Sequence, residues 1–288
     1  MHTGSPSLVT GPTWLARNWA SEAGRGSIHD DATAREFGFR GGTVPADVHL
    51  NQFPPVLCRI FGDDWFKSGN LSLLYKNATT DGESVRVFAE TPESGDQQCR
   101  VWMERDDGLL VCEGTAAVGD HTRSELWTRD LRPCDPSSLE ILRDLTPGQS
   151  LGCYDIVVPS KRQFSLFDAE LISDPLDWYR SVSPWGGAIA CPSTIVQQLW
   201  GVPIASLERS LGDHVGLFGA IEVGHINGPL FLDREYRIES ELVCVGQSPK
   251  TEYFWFDSIA RSPQGPEVAR MRMMCRVLKP EVGTPSET

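Results

Sequence analysis

The chain has 288 residues, 40% hydrophobic and 23% charged, the balance of a soluble globular protein rather than a disordered one. That length suits one large domain or two ordinary ones. A formal net charge of -13 argues against general nucleic-acid binding, which needs a positive face for phosphates, and against docking on an anionic membrane. The eight cysteines include no C-x-x-C pair and sit mostly in apolar runs, so they read as reduced core residues, with no structural zinc and no cofactor expected. With no secretory h-region and no membrane-length apolar run, the sequence reads as cytoplasmic.

Residues Met1 to Pro12 are rich in Ser, Gly, Thr and Pro and read as a loose lead-in. Trp14, Leu15, Trp19 and Ala20 have the spacing of a short helix over Thr13 to Ala23. The loop Gly24 to Ser27 leads into S-I-H-D-D, and Ala32 to Phe39 reads as another short helical turn. Gly41-Gly42 permits a tight turn. Val44 to Phe61 reads as a longer helix that Pro54-Pro55 must kink. After Gly69 the period becomes strand-like, with L-S-L-L-Y-K, S-V-R-V-F-A-E, C-R-V-W-M-E-R and L-L-V-C-E-G-T-A-A-V separated by D-G-E, E-S-G-D and D-D-G turns.

His121 to Ser150 is polar and proline-punctuated, the expected connection to a second unit. That unit begins at Tyr154 to Val158, continues through a loop from Trp178 to Gly187, and reaches a helix over Cys191 to Trp200. Strands resume at L-F-L-D-R-E-Y-R-I, S-E-L-V-C-V, T-E-Y-F-W-F-D-S-I-A and V-A-R-M-R-M-M-C-R-V-L, and the tail after Lys279 reads as disordered. The expected division is therefore a unit over 13–120, a linker over 121–150 and a second unit over 151–280.

The halves share an order of parts. R-G-G-T-V-P-A-D-V-H-L-N-Q, from Arg40, lies over W-G-G-A-I-A-C-P-S-T-I-V-Q, from Trp185, at a constant spacing of 145 residues (186 − 41). Gly41, Gly42, Val44 and Gln52 then meet Gly186, Gly187, Ile189 and Gln197, which indicates a duplicated α+β fold. In this register His29 meets Asp174, so the histidine has no twin.

The stretch S-I-H-D-D-A-T-A-R-E-F-G-F-R-G-G-T-V-P resembles the hydratase arm of the MaoC-like dehydratases, D-x-N-P-[LI]-H-x-D followed by F and G-x-[IV]-x-x-G. W-G-G-A-I-A-C-P-S is similar to the matching helix start of two-hotdog members. The resemblance implies a double hotdog, each unit a long helix wrapped by a bent antiparallel sheet. It also implies a hydro-lyase acting on an enoyl or 3-hydroxyacyl thioester carried by coenzyme A or a carrier protein. His29 falls on the family histidine and Asp31 on the acid two places later, but the family Asp five places earlier falls on Gly24. The expected division of labour is one chemical half and one half that receives substrate.

A neutral imidazole such as His29 can take a proton near pH 7. The same S-I-H-D-D text also reads as a helix cap, with Asp30 or Asp31 serving the following turn. For the missing carboxylate the candidates are Asp31 and Asp47. D-V-H-L-N resembles, weakly, the D-x-x-x-[QH] element of polyketide dehydratases, and an apolar setting would raise the Asp47 pKa. Asp47 and His49 point about 200° apart at roughly 100° per residue, so at most one of them faces a pocket. Backbone amides at Gly41, Gly42 and Gly186 could hold a thioester oxygen, or simply form tight turns. Tyr179, Ser183 and Trp185 are the expected pocket wall from the second half. The alternatives are a specialised lyase, cyclase or isomerase on a biosynthetic intermediate, and a non-catalytic acyl-ligand-binding hotdog. Homodimerisation is compatible with either.

Overall fold

The computed structural model describes residues 6–93, 95–120, 122–173, 176–212, 214–263 and 265–279. Ten strands form one antiparallel sheet. In chain order they are β1 (Leu8–Leu15), β2 (Gly69–Tyr75), β3 (Ser84–Glu90), β4 (Gln98–Arg105), β5 (Leu110–Val118), β6 (Ser150–Val157), β7 (Gly216–His225), β8 (Glu235–Gln247), β9 (Thr251–Arg261) and β10 (Glu267–Leu278). Their spatial order is β1-β3-β4-β5-β2-β7-β10-β9-β8-β6. Reading outward from the centre, each half repeats the same sequence of strands, so the duplication seen in the Gly-Gly register is a duplication of the sheet. The halves join where β2 and β7 pair, from Asn70↔Gly224 to Leu74↔Ala220, with Ser72 opposite Glu222 at the local two-fold.

The helices are α1 (Asp31–Glu36), α2 (Ala46–Leu50), α3 (Pro54–Phe61), α4 (Asp64–Ser68), α5 (Ser160–Asp168) and α6 (Pro192–Leu211). The single helix expected over Val44 to Phe61 is two pieces. α3 starts at Pro54-Pro55, whose missing N–H groups suit a first turn but cannot continue the preceding helix. Gly62, at φ 60°, then ends α3. The equivalent in the second half, α6, runs unbroken for 20 residues.

Three other expectations change. The lead-in and first helix are largely strand β1, an edge strand that accommodates Gly11-Pro12 by a register shift between Thr10 and Thr13. L-F-L-D-R-E-Y-R-I and S-E-L-V-C-V are not two strands, since β8 covers both from Glu235 onward. Strand β7 and helix α5 were not apparent from the sequence. The expected disordered tail falls on 280–288, and Asp174 and His121 likewise lie outside the described residues.

The main core lies between the sheet and the helices, where Leu50, Phe53 and Leu57 meet Ile195, Leu199, Phe254 and Phe256. A smaller core on the other face joins Leu126 of the connection to Leu74, Tyr253, Trp255 and Met274. The connection therefore covers the back of the sheet. There Ser124 Oγ donates to the buried Glu222 carboxylate at 2.5 Å, which also accepts from Asn70 Nδ2 at 2.9 Å. All eight cysteines are free thiols. Among the described residues no helix is long and apolar enough to cross a membrane.

Candidate active site

The arm before α2 is fixed by its own polar side chains. Asp30 caps α1 by accepting from the Thr33 amide at 2.9 Å. Asp31 Oδ1 accepts from the Gly42 amide at 2.7 Å, and Asn18 Nδ2 donates to the His29 carbonyl at 2.9 Å. These bonds draw Gly42 so close that a Cβ there would lie 2.4 Å from the His29 carbonyl oxygen. Glycine at 42 is thus required by a close approach and not by its dihedral freedom. The Gly42 amide, occupied by Asp31, has no hydrogen left for a substrate oxygen.

The packed arm presents His29 to a cavity. His29 Nδ1 lies 2.7 Å from the Thr43 carbonyl, and a carbonyl only accepts, so Nδ1 carries the proton and Nε2 keeps its lone pair. Burial lowers the His29 pKa below its usual 6.5, with the Thr43 carbonyl opposing part of the effect. His29 is therefore a neutral base at neutral pH. The cavity it lines has a volume of about 830 Å³. Its walls are mainly apolar: Phe37 and Phe39 from the arm, Val44 and Val111 from the first half, and Trp200, Ile204, Phe218 and Phe254 from the second. Residues of both halves line this one cavity.

His49, on α2, lines the same cavity. Its Nε2 shares a 2.8 Å hydrogen bond with Thr79 Oγ1, and burial pushes its pKa down to about 4. Asp47 faces elsewhere, as the helical angle requires. It is buried, accepts from Gln197 Nε2 at 3.0 Å, and burial pushes its pKa up to about 6. One turn on, Asn51 Nδ2 donates to Ser193 Oγ at 2.8 Å while Asn51 Oδ1 accepts from the Ser193 amide at 2.9 Å. Asp47 and Asn51 therefore tie α2 to the start of α6, a role the sequence did not reveal because both partners lie in the other half.

The residues expected to line the pocket from the second half lie at a different place. Tyr179 is buried against Phe167, and Ser183 and Trp185 belong to a turn closed by the Ser183–Gly187 bridge, with Gly186 at φ 107°. Trp185 packs on Phe66 and Trp178 at ring-centroid distances of 5.2 Å each. None of the four lines the large cavity. The local two-fold between β2 and β7 explains where they are. It carries Tyr75, which lines the cavity, onto His225, which lines a void of only about 10 Å³ with Trp65, Gly69 and Pro192. Phe66 lies 6.0 Å from the His225 ring. The second half's counterpart of the site is thus filled by aromatic side chains from both halves, Phe66 of the first and Trp178 and Trp185 of the second. Gly24, where the family carboxylate would stand, is exposed at φ 82°, and a Cβ there would meet nothing within 4 Å. Asp31 is committed to Gly42 and Arg35, so no carboxylate is paired with His29 among the described residues. No group of three or more His, Cys, Asp or Glu side chains there could hold a metal.

No protein family and no curated protein matches the chain by sequence. Solved structures do match in shape. A MaoC domain protein of Chloroflexus aurantiacus J-10-fl superposes with a TM-score of 0.64 at 9% identity, covering 96% of each chain. RV0216 of Mycobacterium tuberculosis, described as a double hotdog, gives 0.61 at 11% identity over 96% of this chain and 97% of that one. This chain is a double hotdog. A MaoC-like dehydratase, at TM-score 0.51 and 12% identity, covers 94% of this double hotdog and 97% of its own chain. At such identities the likeness speaks for the fold, and any function must be argued from the site.

Proposed function

We propose that this double hotdog is a hydro-lyase that adds water to, or removes it from, an enoyl or 3-hydroxyacyl thioester, with His29 as its base. The observation that carries the reading is the tautomer. With Nδ1 held on the Thr43 carbonyl, the basic Nε2 is left at the wall of a large apolar cavity. In the dehydration direction Nε2 takes the α-proton of a 3-hydroxyacyl thioester. The resulting imidazolium stays on the Thr43 carbonyl and can return that proton to the departing β-hydroxyl, so one residue serves as base and acid. The His49–Thr79 pair is a further polar feature of the wall and orients the hydroxyl in this reading. Asp47 and Asp31 hold helix and arm in place and do not act on substrate. The acyl carrier is coenzyme A or a carrier protein.

His29→Ala tests the reading on crotonyl-coenzyme A and on longer 2-enoyl-coenzyme A substrates. Loss of a general base lowers kcat/KM by roughly 10²–10⁴-fold, with the unfolding midpoint unchanged. Unaltered hydration by the variant would overturn it. The absence of a carboxylate beside His29 among the described residues favours one second reading, a lyase or isomerase that needs only a proton shuttle. A wild-type protein inactive in hydration, but exchanging α-protons of a saturated acyl thioester with D₂O in a His29-dependent way, would select that reading.

A further inference from the structure

Among the described residues, the charged side chains that line the cavity have the opposite sign to the net charge of the protein. The chain carries a net -13, yet no Asp or Glu lines the cavity among the described residues, while Lys76, Lys250 and Arg276 do. Lys76 is neutralised by Glu113 at 3.1 Å. Lys250 and Arg276 form no ion pair among the described residues. Lys250 is an exposed residue at the hairpin between β8 and β9, whereas Arg276 is half-buried.

The path to Arg276 is a gap in the sheet. β2 and β7 pair only as far as Leu74↔Ala220, after which β2 follows β5 and β7 follows β10. Tyr75 and Val111 line the cavity on one side of the gap, Phe218, Gly219 and Cys275 on the other. The stem of Arg276 crosses the strand at Gly219, where a Cβ would lie 2.7 Å from Arg276 Nε. Alternation along β10 places Arg276 with Arg272 and Met274, on the face opposite the central helices. Burial lowers the pKa of this guanidinium, with Tyr253 opposing part of the effect and Arg129 adding to it. An unpaired cation held half out of water is a cost that a bound anion removes. Low-dielectric walls focus its field along the cavity.

We propose that the cavity recognises an anionic group on its ligand, a phosphate or a carboxylate, at Arg276 and Lys250 beyond the gap between β2 and β7. The ligand then spans from the helix side of the sheet to its back, with an apolar middle against Trp200, Phe218 and Phe254. The phosphate would come from the carrier of a thioester, the carboxylate from the far end of an acyl chain. The identity of the reacting end rests on the hydro-lyase reading; the anion site does not, because binding alone reports it.

Calorimetric titration of the full chain with coenzyme A, dodecanoate and 1-dodecanol, at low and high salt, tests the proposal. Wild-type protein should bind at least one of the two anions, with an affinity that falls as salt rises. Arg276→Gln should weaken that binding about tenfold or more, Arg276→Lys should retain part of it, and 1-dodecanol binding should not change. Selective loss of coenzyme A identifies the phosphate source and selective loss of dodecanoate the carboxylate source; loss of both still supports an anion site. Lys250→Gln, at an exposed position, gives the same readout should Arg276→Gln melt early. Equal binding of both anions by wild type and both Gln variants, or no anion binding by wild type, would overturn it. Hydration by wild type and anion binding by the Arg276 and Lys250 variants are read separately, so a failed hydratase and a failed anion site give different results.

Discussion

Replacing Asp47 by Asn should stabilise the protein, and by an amount that depends on pH. Asp47 is 2% exposed and burial raises its pKa from 3.8 to about 6. The folded state therefore binds a proton more tightly than the unfolded chain does. The associated stability is fully present below pH 3.8 and is lost as pH rises through about 6. Once both states are ionised, the burial of the charge costs about 3 kcal/mol, from about 1.4 kcal/mol for each tenfold difference in proton affinity between the two states. Asparagine in its place keeps the shape and can still accept from Gln197, but carries no charge. The gain in unfolding free energy should be about 1.5 kcal/mol at pH 5 and about 3 kcal/mol at pH 8. His49 and His225, both lowered to about 4, act in the opposite sense by costing stability as pH falls below 6.5. Comparing variant with wild type at each pH cancels them. Urea unfolding at several pH values supplies the numbers. A difference independent of pH would refute the reasoning, and a hundredfold loss of hydration in Asp47→Asn would mean that the carboxyl acts on substrate after all.

Asn51→Ala removes both halves of the buried exchange with Ser193, including the cap on an α6 amide, and should cost about 2–4 kcal/mol in the same denaturation assay. Gly42→Ala puts a Cβ 2.4 Å from the His29 carbonyl oxygen and 3.2 Å from Asp31 Oδ1, so the arm must shift. A loss of about 1–3 kcal/mol with reduced hydration is expected, and full activity at unchanged stability would contradict the role given to this contact. Because burial holds the His29 pKa below 6.5 and its neutral form is the base, kcat/KM should rise with pH through a midpoint below 6.5 and then level off. A midpoint above 6.5 in a pH–rate profile would point to a different titrating group.

The sequence by itself determined the duplication and the arm. Period-2 runs broken by Gly- and Asp-rich turns are local signals, and so is the Gly-Gly register, so four strands of the first half and the helix start at Pro192 were legible. Strand β7 was not: three glycines weaken its strand signal, and with the connection behind it Ala220 to Gly224 are buried on both faces, leaving no alternation to read. Nor could spacing show that Asp31 would be used up on Gly42 or Asp47 on Gln197, since those bonds depend on where separate elements meet. Tertiary structure alone decided which of two equivalent pockets stays open. Phe66, Trp178 and Trp185 converge from both halves to fill one, while the parting of β2 from β7 after Leu74 opens the other toward Arg276. Local sequence encodes periodicity and turns; a cavity is what remains when distant side chains have packed.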